Sequence, residues 1–278
     1  MKKMIGSAVV LLACVAGAAK VENIKIHSAA MDKDVPAAVI LPDGYAADEA
    51  KRWPVVYVLH GAGGNFSGYS KAPMTTMVDE YGFIAVCPDG GKTSWWLDSP
   101  IDPRMKYETH VVKEVVPFVD ANYRTINDRA KRAIMGGSMG GHGACFLGIR
   151  HKDIFGAIGN IYGGVDLRPF PDNWDIKLRL GTIQEHPEHW EEYSVVTQAK
   201  TLKNSEVSLI TAIGTSDFFL KVNREFHDLL TKNEVEHAYV EVRAENTKRS
   251  SHGTFRPIAE KIVGRFIHNF FIEGRGRL

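Results

Sequence analysis

The sequence predicts an α/β fold: a mostly parallel central sheet with helices on both faces. Three observations carry this. Short apolar runs alternate with helical stretches along almost the whole chain. Central runs such as Val55-Val56-Tyr57-Val58-Leu59 are continuously apolar, as strands buried on both sides are. A Gly-x-Ser-x-Gly turn, Gly136-Gly137-Ser138-Met139-Gly140, joins one such run to a small-residue helix.

In order, Ile24 and Ile26, then Val39-Ile40-Leu41, mark two strands joined by a turn around Asp32-Lys33-Asp34. A buried strand follows at Val55-Val56-Tyr57-Val58-Leu59-His60 and is ended by Gly61-Ala62-Gly63-Gly64. A helix is expected over residues 73–81 and a strand over 83–89. Val111, Val112, Val115, Val116 and Val119 then form the apolar stripe of a helix over 107–123. The strand ending at Met135 and the helix after Ser138 come next, followed by a strand over 157–162. Residues 163–192, rich in Gly, Pro, Asp and Trp, resist assignment and are expected to lie over the sheet edge as a cap. Helices over 193–203, 219–232 and 255–271 and strands over 207–213 and 237–242 complete the pattern. There is no internal repeat and no low-complexity linker.

A chain of 278 residues, 44% hydrophobic and 24% charged, suits one globular domain. A formal net charge of +1 without charged blocks argues against nucleic acid or an anionic membrane surface as partner. Met1-Lys2-Lys3, an apolar run from Ile5 to Val15 and Ala16-Gly17-Ala18-Ala19 read as a signal peptide over residues 1–19, leaving 20–278 as the domain and implying a periplasmic or secreted protein. Leu11-Leu12-Ala13-Cys14 leaves open a lipid anchor at Cys14. The remaining thiols, Cys87 and Cys145, sit in apolar segments and read as buried and free. His186 and His189 lie three apart, but the proline between them and the lack of partner ligands read as a solvated loop. No metal and no cofactor is expected.

The glycine-flanked serine is the expected nucleophile, because a sharp strand-to-helix turn lifts its hydroxyl above the sheet and aims a helix N-terminus at whatever it attacks. It needs a base and a group to orient that base. In the order Ser, Asp, His, the candidates are Asp217, just past a strand in Gly214-Thr215-Ser216-Asp217, and His252, in Ser251-His252-Gly253 after the last strand. Asp166 after Tyr162-Gly163-Gly164-Val165 is the rival acid, and Asp217 also reads as a helix N-cap. The oxyanion donors are expected at the N–H of Met139 and of Ala62, with Gly61 or Gly63 in reserve. Trp95 and Trp96, in a loop after a strand, are expected to give one wall of the substrate cleft.

On these motifs, and on Ser94-Trp95-Trp96-Leu97-Asp98-Ser99-Pro100, the chain resembles the esterase D / tributyrin esterase family of α/β-hydrolases. That group is similar to the carbohydrate esterase family 1 enzymes, with their feruloyl and acetylxylan esterases, and more distantly to mycolyltransferases. The resemblance implies an α/β-hydrolase fold, the triad acid at Asp217 and the second oxyanion donor at Ala62. Together with the signal peptide, it implies an exported serine esterase working through an acyl-enzyme on acetyl or feruloyl esters of plant polysaccharide, or on another small-molecule ester. Alternatives are an S-formylglutathione hydrolase, an acyltransferase on the same triad, or a non-catalytic binding protein on this scaffold. Gly253 departs from the acidic residue that often follows the family's histidine.

Overall fold

The computed structural model describes residues 18–243 and 250–278. The expected leader and Cys14 lie outside them, apart from Ala18 and Ala19. Among the described residues eight strands form one sheet: β1 Lys20–Ser28, β2 Lys33–Leu41, β3 Val55–Leu59, β4 Ile84–Pro88, β5 Arg132–Gly137, β6 Ala157–Ile161, β7 Ser208–Gly214 and β8 His237–Val242. Their order is β1-β2-β4-β3-β5-β6-β7-β8. The pairs β1–β2 and β2–β4 are antiparallel, and every pair from β4–β3 to β7–β8 is parallel.

Side-chain alternation decides which helix covers which face. β3 is buried at every residue, as its unbroken apolar sequence requires. On β6, Ile158 packs at Gly148 of the helix Met139–Arg150, while its neighbour Gly159 faces Val263 of the helix Arg256–Glu273. Successive residues point to opposite faces, so these two helices sandwich the sheet.

The chain moves from β3 outward to β4 and then crosses back to β5, so β3 and β5 lie side by side with their connections leaving in opposite directions. A crevice opens at the C-terminal ends of two such strands, the usual ligand position in open α/β sheets. Leu59 of β3 is paired with Gly136 of β5, which sets the loop after β3 directly beside Ser138.

Three expectations change. The helix over 107–123 is three successive helical pieces, Tyr107–Thr109, His110–Val115 with π spacing, and Val116–Asn122. Pro117 lacks an N–H to continue the α ladder, which accounts for the wider turn before it. The helix over 193–203 shrinks to Val195–Gln198 and a 3-10 turn Ala199–Thr201. The cap contains two short helices, Lys177–Leu180 and Pro187–Glu192, anchored by buried Val165, Leu167, Ile176, Leu180 and Trp190. Cys87 and Cys145 are buried free thiols. Burial pushes the Cys87 pKa up to about 12 and that of Cys145 upward too, so neither is a ready nucleophile.

Candidate active site

Ser138 sits at φ 60 and ψ −122 between β5 and the helix Met139–Arg150. This is a strained conformation for a residue with a side chain, held by a bond from its N–H to the Ile161 carbonyl (3.0 Å). The glycines allow it. A Cβ on Gly140 would lie 2.0 Å from the carbonyl oxygen of Leu59, so no larger residue could follow the serine at that distance.

The histidine and the acid arrive from the far side of the sheet. Asp217 follows β7, its side chain wholly buried, and accepts the Phe219 N–H at Oδ1 (2.9 Å). The 250–252 turn passes close to the end of β7, where a Cβ on Gly214 would lie 1.9 Å from the Ser250 carbonyl. This brings His252 Nδ1–H to Asp217 Oδ2 at 2.9 Å and Oδ1 at 3.2 Å. With that nitrogen donating, Nε2 keeps its lone pair, and it stands 2.9 Å from Ser138 Oγ. The structure therefore joins Ser138, His252 and Asp217 in one line. Asp166 stands elsewhere: it pairs with Arg168 (2.8 Å) and accepts from Ser194 Oγ (3.2 Å) within the cap.

The cleft at Ser138 measures about 230 Å³. Ala62 lines it, and among the described residues no acceptor takes the Ala62 N–H, whereas the Gly63 N–H is bonded to the Lys92 carbonyl (2.8 Å). Met139 begins its helix, so its N–H has no partner in the preceding turn of that helix. His60 holds the loop in shape. Its Nδ1–H donates to the Gly61 carbonyl (2.9 Å), and Nε2 accepts the Gly90 N–H (2.8 Å). Both nitrogens are occupied and burial depresses its pKa, which keeps it neutral and supporting.

Trp95 and Trp96 do not line the cleft, contrary to expectation. They are 1% and 0% exposed. Positive φ at both residues (56 and 62) turns the rings inward. Trp96 packs on Gly143 of the helix Met139–Arg150, the elbow helix that follows the Ser138 turn, and donates to the His60 carbonyl (3.1 Å), and Trp95 donates to the Trp174 carbonyl (3.1 Å). They brace the loop after β3 and the cap from behind.

Sequence reasoning missed three residues lining the cleft, Tyr69, Tyr162 and Arg256, and a fourth, Phe218, that packs on His252. Phe218, 50% exposed, stacks on the His252 ring (4.1 Å between centroids, 25° between planes) and on Trp174 (5.3 Å, 22°). Tyr162 meets His252 edge-on at 4.8 Å. Tyr69 and Tyr162 both line the cleft, and burial raises both phenol pKa values, so they remain hydroxyl donors. Arg256 lies over the Tyr69 ring, donates to the Gly68 carbonyl (3.0 Å) and is ion-paired with buried Glu260. The aromatic pair after Asp217, Phe218-Phe219, was the available signal for Phe218. For the others, separated widely in sequence, there was none.

His142, one turn into the elbow helix, is fully buried between the carbonyls of Trp95 (3.1 Å) and Tyr193 (2.9 Å). Two carbonyls favour the imidazolium, but burial outweighs them and brings the pKa down to about 4. The depressed folded-state value fixes the sign: between about pH 6.5 and about pH 4 the unfolded chain binds a proton that the native state refuses. Stability is full above that window and falls as pH drops through it, by on the order of 3 kcal/mol from this residue. His60, His110 and His237 are shifted in the same direction, again chiefly by burial. Urea melts at pH 7 and pH 5 should show the loss, and His142→Gln should flatten the profile. An unchanged midpoint in the wild type would contradict the assignment.

The histidines at 186 and 189 are also placed differently from the expected loop. Pro187 starts the helix Pro187–Glu192, so His186 at its N-cap stacks on His189 in its first turn, with Glu188 beside them.

A serine, histidine and aspartate in line at the C-terminal edge of this sheet define an α/β-hydrolase. The sequence profile of the Esterase family, described as putative esterase, matches residues 28–256, and the chain belongs to that family. An esterase of Mycobacterium tuberculosis H37Rv is 27% identical over 256 residues, covering 82% of this chain and 55% of the relative. An endo-1,4-beta-xylanase/feruloyl esterase of Xylanibacter ruminicola is 28% identical over 156 residues, 52% of this chain and 22% of the relative. The chain thus spans about half the length of the first and less of the second. A solved ferulic acid esterase superposes with a TM-score of 0.75 at 24% identity, covering 91% of this chain and 99% of that one, and shares its fold. Among the described residues, no helix is long and apolar enough to cross a membrane.

Proposed function

We propose that the protein is a serine carboxylic-ester hydrolase working through an acyl-enzyme, with feruloyl or acetyl esters of plant polysaccharide as substrates. The single observation that carries the reaction class is the line Ser138 Oγ–His252–Asp217, with its 2.9 Å bonds at both imidazole nitrogens. Ser138 Oγ attacks the ester carbonyl as His252 Nε2 takes its proton. Asp217 steadies the imidazolium, and His252 then passes the proton to the leaving alcohol. Water repeats the sequence to release the acid. The Ala62 and Met139 N–H groups face the place where the oxyanion develops, each contributing about 3 kcal/mol to its stabilisation. The basic and then apolar start of the sequence supports export.

Two observations support an aromatic acyl group. Phe218 leaves half its surface open beside His252, and a relative carries the name feruloyl esterase. One ring contact contributes about 1 kcal/mol, so kcat/KM on methyl ferulate is expected to exceed that on an aliphatic methyl ester of similar size by about fivefold or more. Parallel assays with acetylated xylan, tributyrin and S-formylglutathione decide among the classes. Preference for S-formylglutathione would replace the polysaccharide reading with a thioesterase, and acyl transfer exceeding hydrolysis on adding a sugar acceptor would make it a transferase.

A further inference from the structure

We propose that His186, Glu188 and His189 form a binding site for a borderline divalent transition metal, on the cap and apart from the catalytic line. The candidate ligand atoms of the three residues lie within 4.8 Å of one another. His186 Nδ1 is 3.3 Å and His189 Nε2 3.8 Å from the same carboxylate oxygen, Glu188 Oε1. Ligands about 2.0–2.1 Å from a tetrahedral zinc ion stand roughly 3.3 Å apart, so two edges of the coordination triangle are nearly at length. Rotation about exposed side-chain bonds closes the third.

The local structure prepares these groups. His189 Nδ1–H donates to the Leu180 carbonyl at 2.7 Å. That fixes the tautomer with the Nε2 lone pair toward Glu188, the arrangement in which a backbone carbonyl orients a metal-bound imidazole. The His186 ring lies over Gly181, where a Cβ would come within 2.3 Å of it, and stacks nearly parallel on His189 at 4.7 Å and 10°. Ligation therefore requires His186 to turn about its exposed side-chain bonds until its Nδ1 lone pair meets that of His189 Nε2. The helix carrying His189 is itself anchored, since buried Trp190 donates to the Gly181 carbonyl at 3.0 Å. Two imidazoles and one carboxylate suit Zn²⁺, Ni²⁺ or Cu²⁺ and are poor ligands for Mg²⁺ or Ca²⁺. Three protein ligands leave a fourth position for water. A bound ion would clamp the N-cap residue His186 to the first turn of the helix Pro187–Glu192 and stabilise that end of the cap.

The test is calorimetric titration of the full chain, stripped of metal, with Zn²⁺. The expected result is a tightest equivalent whose affinity falls at least about tenfold in each of His186→Ala, Glu188→Gln and His189→Ala. Metal-free melting of Glu188→Gln should match the wild type. Since that side chain is largely exposed, its loss of affinity reads ligation and not unfolding. Ser138→Ala should bind Zn²⁺ normally. Failure of the wild type to bind Zn²⁺, binding that survives His186→Ala and Glu188→Gln, or loss of affinity only where the variant melts early would each overturn the proposal.

Discussion

Replacing Ser138 by alanine is expected to lower kcat for an activated ester by at least about 10,000-fold while leaving the fold intact. The hydroxyl is the atom that His252 Nε2 faces at 2.9 Å, and alanine keeps the Cβ that the strained φ 60 turn already accommodates. Nothing in the packing of Gly140 against Leu59 is disturbed, so the variant should melt with the parent. The proposed oxyanion donors, the Ala62 and Met139 N–H groups, remain, and residual hydrolysis above the uncatalysed rate should come from them. KM should change little. A variant that retained a tenth of the parental rate would place the nucleophile elsewhere.

Asp217→Asn is expected to cost kcat about 10,000-fold at neutral pH with no loss of structure, for a reason the hydrogen bonds specify. Asp217 Oδ1 accepts the Phe219 N–H at 2.9 Å, so the amide oxygen of an asparagine keeps that place. Its NH₂ group then occupies the Oδ2 position, 2.9 Å from His252 Nδ1. Two donors cannot face each other. The imidazole must give up the proton at Nδ1 and carry it on Nε2, where it can no longer accept from Ser138. The side chains of Asp217 and Asn are nearly isosteric and the site is buried, so melting should shift only slightly. Stopped assays on p-nitrophenyl acetate and thermal melts of the same preparations check both halves. A rate within tenfold of the parent would mean that Asp217 does not set the tautomer of His252.

How much the sequence revealed differs from residue to residue for physical reasons. The sheet was legible because buried strands such as Val55-Val56-Tyr57-Val58-Leu59 leave no polar position for an alternative reading. The elbow was legible because its geometry excludes side chains, and glycine marks that exclusion directly in the sequence. Asp217 and His252 could be placed since each follows a strand at the same edge of the sheet. Trp95 and Trp96 could not be oriented. The same loop sends a ring into the cleft or into the core according to two backbone angles, and the left-handed values found here are rare for tryptophan. Tyr69, Tyr162 and Arg256 come together only in three dimensions. The proline between His186 and His189 points to a solvated loop in the sequence, yet at the first helical position it starts the short helix Pro187–Glu192.

Labelling with a fluorophosphonate probe followed by mass spectrometry of the digested protein tests the central claim most directly. The account predicts one adduct, on the peptide containing Ser138, with esterase activity lost in proportion to its formation and no adduct in Ser138→Ala. Full ester hydrolysis by protein in which Ser138 is unlabelled after prolonged exposure, or an inactivating adduct on another residue, would contradict it.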